Sequence, residues 1–208
     1  MHIDSQTRYN LSFTAVSLRP ELARIVAECY LETGSWDMAK VRILSSNALQ
    51  CRSASSAVRM ERELRQRLKC LTGGQIAILA QATAEDRAAM AWLAALKHIR
   101  FAFEFAAEVL REKLATHDAV LRPSDYETYV DNQSVSHPEL IQLAASSKGK
   151  IRQVLLLMLA EAGLLGPGTS LGTLQRPVLS LAVLNAITAD SPHWLAGFLV
   201  PDTEIGCL

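Results

Sequence analysis

The sequence lacks the local signatures that mark most small catalytic or metal-binding domains. Its four cysteines, Cys29, Cys51, Cys70 and Cys207, include no CxxC pair, which argues against a zinc site or a thioredoxin-type motif. Cys29 falls on an apolar helical face and reads as a small buried hydrophobe. The five histidines, His2, His98, His117, His137 and His193, include no pair four residues apart and no HExxH, so no linear metal site is present. Gly163, Gly166, Gly168 and Gly172 have neither the lysine nor the strand-to-helix order of a phosphate loop. No pair of carboxylates stands out for acid–base work. The expectation is a protein without enzymatic activity, bound metal or cofactor.

Long apolar runs are missing too. The run 154–160 is stopped by Glu161, and 178–200 is interrupted by Asn185, Asp190 and Pro192, whereas a membrane span needs about 20 largely apolar residues. With no signal peptide in view, the expectation is a reduced, cytoplasmic protein with no membrane partner. There is no repeat and no low-complexity linker. One helical domain over 1–208 is expected, divisible into sub-bundles 1–72 and 73–208. Excess charge of either sign is also absent, with 21 basic and 21 acidic side chains. Attraction to a polyanion must therefore arise from local asymmetry.

What the sequence does contain is helical periodicity, and the fold class it predicts is all-α, a multi-helix bundle. Leu22, Ile25, Val26, Cys29 and Tyr30 give one face of a helix over 18–33, with Pro20 in its first turn and Gly34 as its stop. Ser35 can cap a helix over 36–46. Thr72 opens a short helix over 75–81, and Thr83 with Asp86 caps the next. A helix is expected to run to about residue 116 through Phe101, Phe103 and Phe105, which read as core and not as a base-stacking platform. Pro123 starts a helix to about 132, and His137-Pro138 starts a short one. Ile151, Val154, Leu155, Met158, Leu159, Ala162 and Leu165 line one broad face of a helix beginning near Ser147, and Leu156 and Leu157 widen it. A helix this apolar is expected to be the central post of the bundle. Final helices are expected over 178–188 and 191–199. Between them and the post, residues 163–177 are rich in glycine and proline, and read either as a loop or as a small hairpin near 164–176. In the second case, helix plus basic-tipped hairpin gives the outline of a winged helix.

Charge concentrates in two places. Over 52–69 there are six basic residues and two acids, Glu61 and Glu63. Ser53 or Ser55 can cap a helix here, with Ala57, Met60, Leu64, Leu68 and Leu71 on one face and Arg59, Arg62, Arg65 and Lys69 on the adjacent one. Arg67 and Glu63 flank the far side, and Arg52 precedes the helix. Arginine forks match phosphate oxygens, and phosphate neutralisation drives non-specific nucleic-acid binding through counterion release. The two acids read as surface ion-pair partners worth little. The second concentration is Lys148, Lys150 and Arg152 at the start of the post helix. There they oppose the helix dipole at up to about 1 kcal/mol each. Arg176 adds a cation on the potential wing.

Three blocks also carry a family resemblance. Arg8-Tyr9-Asn10-Leu11-Ser12-Phe13-Thr14-Ala15, then His137-Pro138-Glu139-Leu140, then Lys150-Ile151-Arg152-Gln153-Val154-Leu155 through Glu161-Ala162-Gly163-Leu164-Leu165, resemble BrxA, a family of small components of bacterial BREX anti-phage defence systems. These motifs are structural in character. The resemblance implies a helical fold similar in part to NusB, binding to double-stranded DNA, and partner proteins that include a methyltransferase and an ATPase of the same system. It transfers no individual DNA-contacting residue. The candidate contacts, Arg52, Arg59, Arg62, Arg65, Arg67, Lys69, Lys148, Lys150, Arg152 and Arg176, rest on charge geometry alone. The rival reading is a protein-interaction adaptor whose arginines meet an acidic partner protein. A weaker third is RNA binding, by analogy of fold.

Overall fold

The computed structural model describes residues 8–207. An extended N-terminal strap with one 3-10 turn (Ser12–Ala15) leads into α1 (Pro20–Thr33), α2 (Trp36–Ser45), α3 (Ala54–Leu68), α4 (Gly73–Gln81) and α5 (Ala84–His98). A longer rod follows, made of α6 (Arg100–Glu104), a π-helical segment (Phe105–Leu110) and α7 (Arg111–Ala115). Then come β1 (Val120–Leu121), α8 (Pro123–Ser134), a 3-10 turn (Pro138–Leu140), α9 (Ala145–Glu161), β2 (Leu165–Gly166) and β3 (Gly172–Leu174). The chain closes with α10 (Leu181–Thr188), a 3-10 segment (Pro192–Phe198) and α11 (Asp202–Ile205). The architecture is all-α with one very small sheet.

Helix starts follow the capping chemistry of the sequence. Ser53 Oγ accepts from the Ser56 amide at 3.2 Å, and Thr83 Oγ1 from the Asp86 amide at 3.3 Å. Thr72 and Gln75 cap each other reciprocally, which draws both glycines into α4. Gly34 ends α1 with a left-handed φ of 63° that costs a glycine little.

The central post is α5 and not α9. Eight consecutive residues of α5, Ala89 to Leu96, are buried, and the helix packs against α1, α3, α4, α6 and the 192–198 turn. Four of the eight are alanines, and these small side chains let neighbouring helices close in from all sides. Trp92 is fully buried, and its indole N–H donates to the Gly197 carbonyl at 2.9 Å. In contrast, α9 buries Ile151, Val154, Leu155, Met158 and Leu159 along one face, and leaves Leu157 half exposed. Its apolar breadth overstated how many neighbours cover it.

Residues 164–176 do form a hairpin. β2 and β3 pair antiparallel, Leu165 opposite Leu174, and β1 adds a third strand in the order β1-β3-β2. Gly172, at φ 136°, would bring a Cβ to 2.7 Å from the Gly166 carbonyl oxygen, so only glycine closes this turn. The tip, 167–171, carries no basic residue; Arg176 lies beyond β3. The basic-tipped wing of the sequence reading is thus corrected to a hairpin with a neutral tip.

One continuous hydrophobic core runs from Tyr9 to Val200. Phe101 and Phe105 belong to it, packing on Tyr129 of α8 with ring centroids 5.3 and 5.1 Å away. The strap closes this core from outside. The Tyr9 amide donates to Glu139 Oε1 at 2.7 Å, its ring stacks on His137 at 3.8 Å, and its hydroxyl bonds Glu104 and Gln133. Further along, Glu161 accepts from Ser17 Oγ at 3.0 Å, the Leu18 amide at 2.6 Å and the Arg19 amide at 3.3 Å. The three sequence blocks that carried the resemblance converge here into a single clamp.

Candidate nucleic-acid interface

Helix α3 divides its charged residues between two faces. Arg52, Arg59, Arg62 and Lys69 are exposed, and none has an acidic partner among the described residues. Together they make an outward stripe, with Val58 and Gln66 between them. From Arg59 to Lys69 the stripe runs about 15 Å along the helix, at roughly 1.5 Å per residue. The compensating negative charge lies elsewhere. Residues 104–131 hold seven acids (Glu104, Glu108, Glu112, Asp118, Asp125, Glu127, Asp131) against three bases (Arg111, Lys113, Arg122). The zero net charge therefore conceals a separation between helices.

Arg67 faces the other way. It is 2 % exposed, and its guanidinium donates to the carbonyls of Ser17 at 2.6 Å, Val16 at 2.8 Å and Phe13 at 3.4 Å. Burial lowers its pKa to about 10, against the pull of Glu63 and Glu161, and it remains a cation at neutral pH. The expectation that Arg67 meets phosphate is corrected. It braces the strap, because the side of α3 that the wheel left open is the side the strap covers. The acids are likewise inside: Glu61 is 0 % and Glu63 6 % exposed, so neither is the weak surface partner the sequence suggested. Glu61 Oε1 accepts from Arg65 Nε at 2.6 Å, while its Oε2 has no partner among the described residues. Arg65 is mostly covered, with a side-chain exposure of 15 %.

At α3's C-terminal end, Cys70 Sγ lies 3.9 Å from His98 Nδ1. Burial raises the thiol's pKa despite nearby Lys97. Burial also lowers that of the imidazole, helped by Arg67 and opposed by Glu63. A thiol pushed towards its neutral form is a poor nucleophile. Among the described residues, no group of three or more His, Cys, Asp or Glu is placed to hold a metal ion. No helix there is long and apolar enough to cross a membrane.

The second basic cluster is separate and more neutralised. Lys148 and Lys150 are exposed in the first turns of α9, where Ala144 supplies no side-chain cap. Lys150 Nζ donates to Gln153 Oε1 at 3.2 Å, and Arg152 Nη1 lies 3.5 Å from Glu127. Lys148 and Arg152 edge a hollow of about 440 Å³ that Glu127 and Asp131 also line. It is the far end of α9, at Glu161, that meets the strap beside Arg67, through Ser17. The lysines begin about 20 Å back along the helix axis, at roughly 1.5 Å per residue. Arg176 is apart again, with both terminal nitrogens held by Glu204 at 2.8 and 2.5 Å.

Sequence reasoning missed the roles of Tyr9, Glu139 and Glu161 as anchors. The available signal was that all three fall inside the blocks carrying the family resemblance. A family model described as BrxA matches residues 7–191. The chain belongs to the BrxA family. It is 27 % identical over 141 residues to a BREX protein BrxA of Escherichia coli O9:H4 (strain HS), a match spanning 68 % of this chain and 66 % of that protein. To a BREX protein BrxA of Bacillus cereus (strain H3081.97) it is 25 % identical over 150 residues, 72 % of this chain and 75 % of the other. The crystal structure of an uncharacterized protein from Magnetospirillum magneticum superimposes with a TM-score of 0.76, over 92 % of this chain and 98 % of that one. At 19 % identity, that likeness extends to the fold alone.

Proposed function

We propose that this BrxA-family chain is a non-enzymatic accessory protein of a BREX phage-defence system that binds duplex DNA through α3. The supporting observation is the row Arg52, Arg59, Arg62 and Lys69, exposed and without acidic partners among the described residues, in a chain of zero net charge. The part from Arg59 to Lys69, about 15 Å long, compares with a major-groove width of roughly 12 Å. Lys148 and Lys150 offer a secondary contact region. Phosphate contacts position a protein without reading sequence, so sequence preference is weak. Anisotropy of a labelled mixed-sequence duplex, repeated at several salt concentrations, tests this. Micromolar or tighter binding is expected, falling linearly in log salt with a slope of about −0.9 per phosphate neutralised. The triple variant R59E/R62E/K69E should lose at least 100-fold in affinity with an unchanged helical circular-dichroism signal. No binding by the unaltered protein at low salt overturns the proposal.

A second reading, an adaptor docking other BREX components such as the methyltransferase or ATPase, draws on a different surface. Val178 is 95 % and Leu181 72 % exposed. Val178 stands between apolar hollows of about 380 and 410 Å³, and exposed apolar surface of this kind often marks protein contacts. Copurification of a partner that survives the α3 charge reversal but not Val178→Asp would favour it.

A further inference from the structure

The fully buried carboxylate of Glu61 is an anomaly that neither the fold nor the stripe explains. Among the described residues its only hydrogen-bond partner is Arg65, one turn on, and Oε2 has none. Along the same flank Ala57, Leu64 and Leu68 are buried and apolar, and an apolar side chain at 61 would continue that surface. Replacing a buried ion pair by apolar groups is often neutral or stabilising, so stability alone is a weak reason for a carboxylate at 61. What the pair does supply is geometry. Nε of Arg65 is fixed at 2.6 Å from Oε1, while its two Nη atoms bond no described residue and are not sealed from solvent.

We propose that Glu61 is a positioning residue that tethers Arg65 by its Nε, presenting the two outer nitrogens as a pre-set fork for a single backbone phosphate of duplex DNA. Arg59, Arg62 and Lys69 attract the duplex as mobile charges; Arg65 is the fixed point that sets where α3 sits on it. A free arginine loses its rotamer freedom when it binds. A tethered one has lost it on folding, and so binds more tightly for the same contacts. This rests on the DNA-binding reading of α3.

Two accounts of Glu61 predict opposite signs. If it acts only through its charge, removing it beside a cationic surface strengthens DNA binding. If it positions Arg65, Glu61→Leu weakens binding, by about two- to tenfold for one released side chain. Glu61→Gln keeps the Oε1 acceptor and retains full affinity. Arg65→Lys keeps the charge but not the fork, and should lose as much as Glu61→Leu. Adding Glu61→Leu to Arg65→Lys should then cost nothing more, the coupling expected of two parts of one device. Duplex anisotropy on these variants reads all four. Affinity unchanged or increased in Glu61→Leu, or full affinity in Arg65→Lys should Glu61→Leu fail to fold, overturns the proposal. A DNA-free readout separates it from the reading beneath it. In the unaltered protein the Arg65 Nε–H should give a slowly exchanging NMR resonance, absent in Glu61→Leu. That resonance without duplex binding refutes the DNA reading, and this proposal with it, while leaving the tether; duplex binding without it refutes the positioning alone.

Discussion

Arg62 and Arg67 lie five residues apart on α3, about 140° around the helix at roughly 100° per residue, and have unrelated roles. Arg62 is exposed and has no acidic partner among the described residues, whereas Arg67 is sealed in with its two Nη groups on three carbonyls of the strap. A charge count over 52–69 treats them alike. What separates them is coverage: a guanidinium over water can be recruited by a ligand, and one against a backbone of unpaired carbonyls is part of the frame.

The largest expected effect tests that separation directly. Arg67→Met removes the donor to three strap carbonyls and the cation beside Glu63 and Glu161, costing about 3–5 kcal/mol. Arg62→Met should cost under about 0.5 kcal/mol. Urea denaturation of both variants measures this, and similar midpoints would erase the distinction between the faces. Next in size is Glu161→Gln, which loses the charge in the carboxylate's hydrogen bonds to Ser17, Leu18 and Arg19. A loss of about 1–3 kcal/mol follows, with faster proteolysis within 8–19. If the strap stays protected, Arg67 and the Tyr9 contacts hold it without Glu161.

The smallest effect is a pH dependence. The half-buried His98 has its pKa lowered by burial first and by Arg67 second. The unfolded chain therefore takes up the proton before the folded one, so stability rises with pH from the depressed value up to the ordinary value of about 6.5. His98→Gln should flatten this part of the urea-midpoint profile. Arg67→Met should flatten it partly, since it removes one of the two causes. A profile unchanged in His98→Gln assigns the slope to other groups.

Most helices could be read because they are local. Ser53, Thr72 and Thr83 act on amides three residues away, and Pro20 and Gly34 act on their own turns. The errors came where distant chain decides. Arg67 looked exposed because the strap that covers it lies about 50 residues earlier in the sequence. α9 looked central because breadth of apolar surface does not report how many helices arrive, and the alanines of α5 announce close approach only weakly. β1 was missed because two residues pairing with β3 leave no periodicity to find. In the candidate site, the exposed arginines were legible from the wheel. Glu61 was not, because a carboxylate between arginines looks the same in sequence whether buried or solvated.

The strap also gives the molecule an order in time. Tyr9 waits for Glu139, 130 residues later, and Leu18 for Glu161, 143 later. At roughly 5–20 residues per second of synthesis, the strap is without these two carboxylate anchors for about 7–30 s after it is made. A nascent chain halted before Glu161 therefore has Arg67 in hand but lacks the carboxylate on which Ser17, Leu18 and Arg19 close, and carries an open end where the finished protein has a latch.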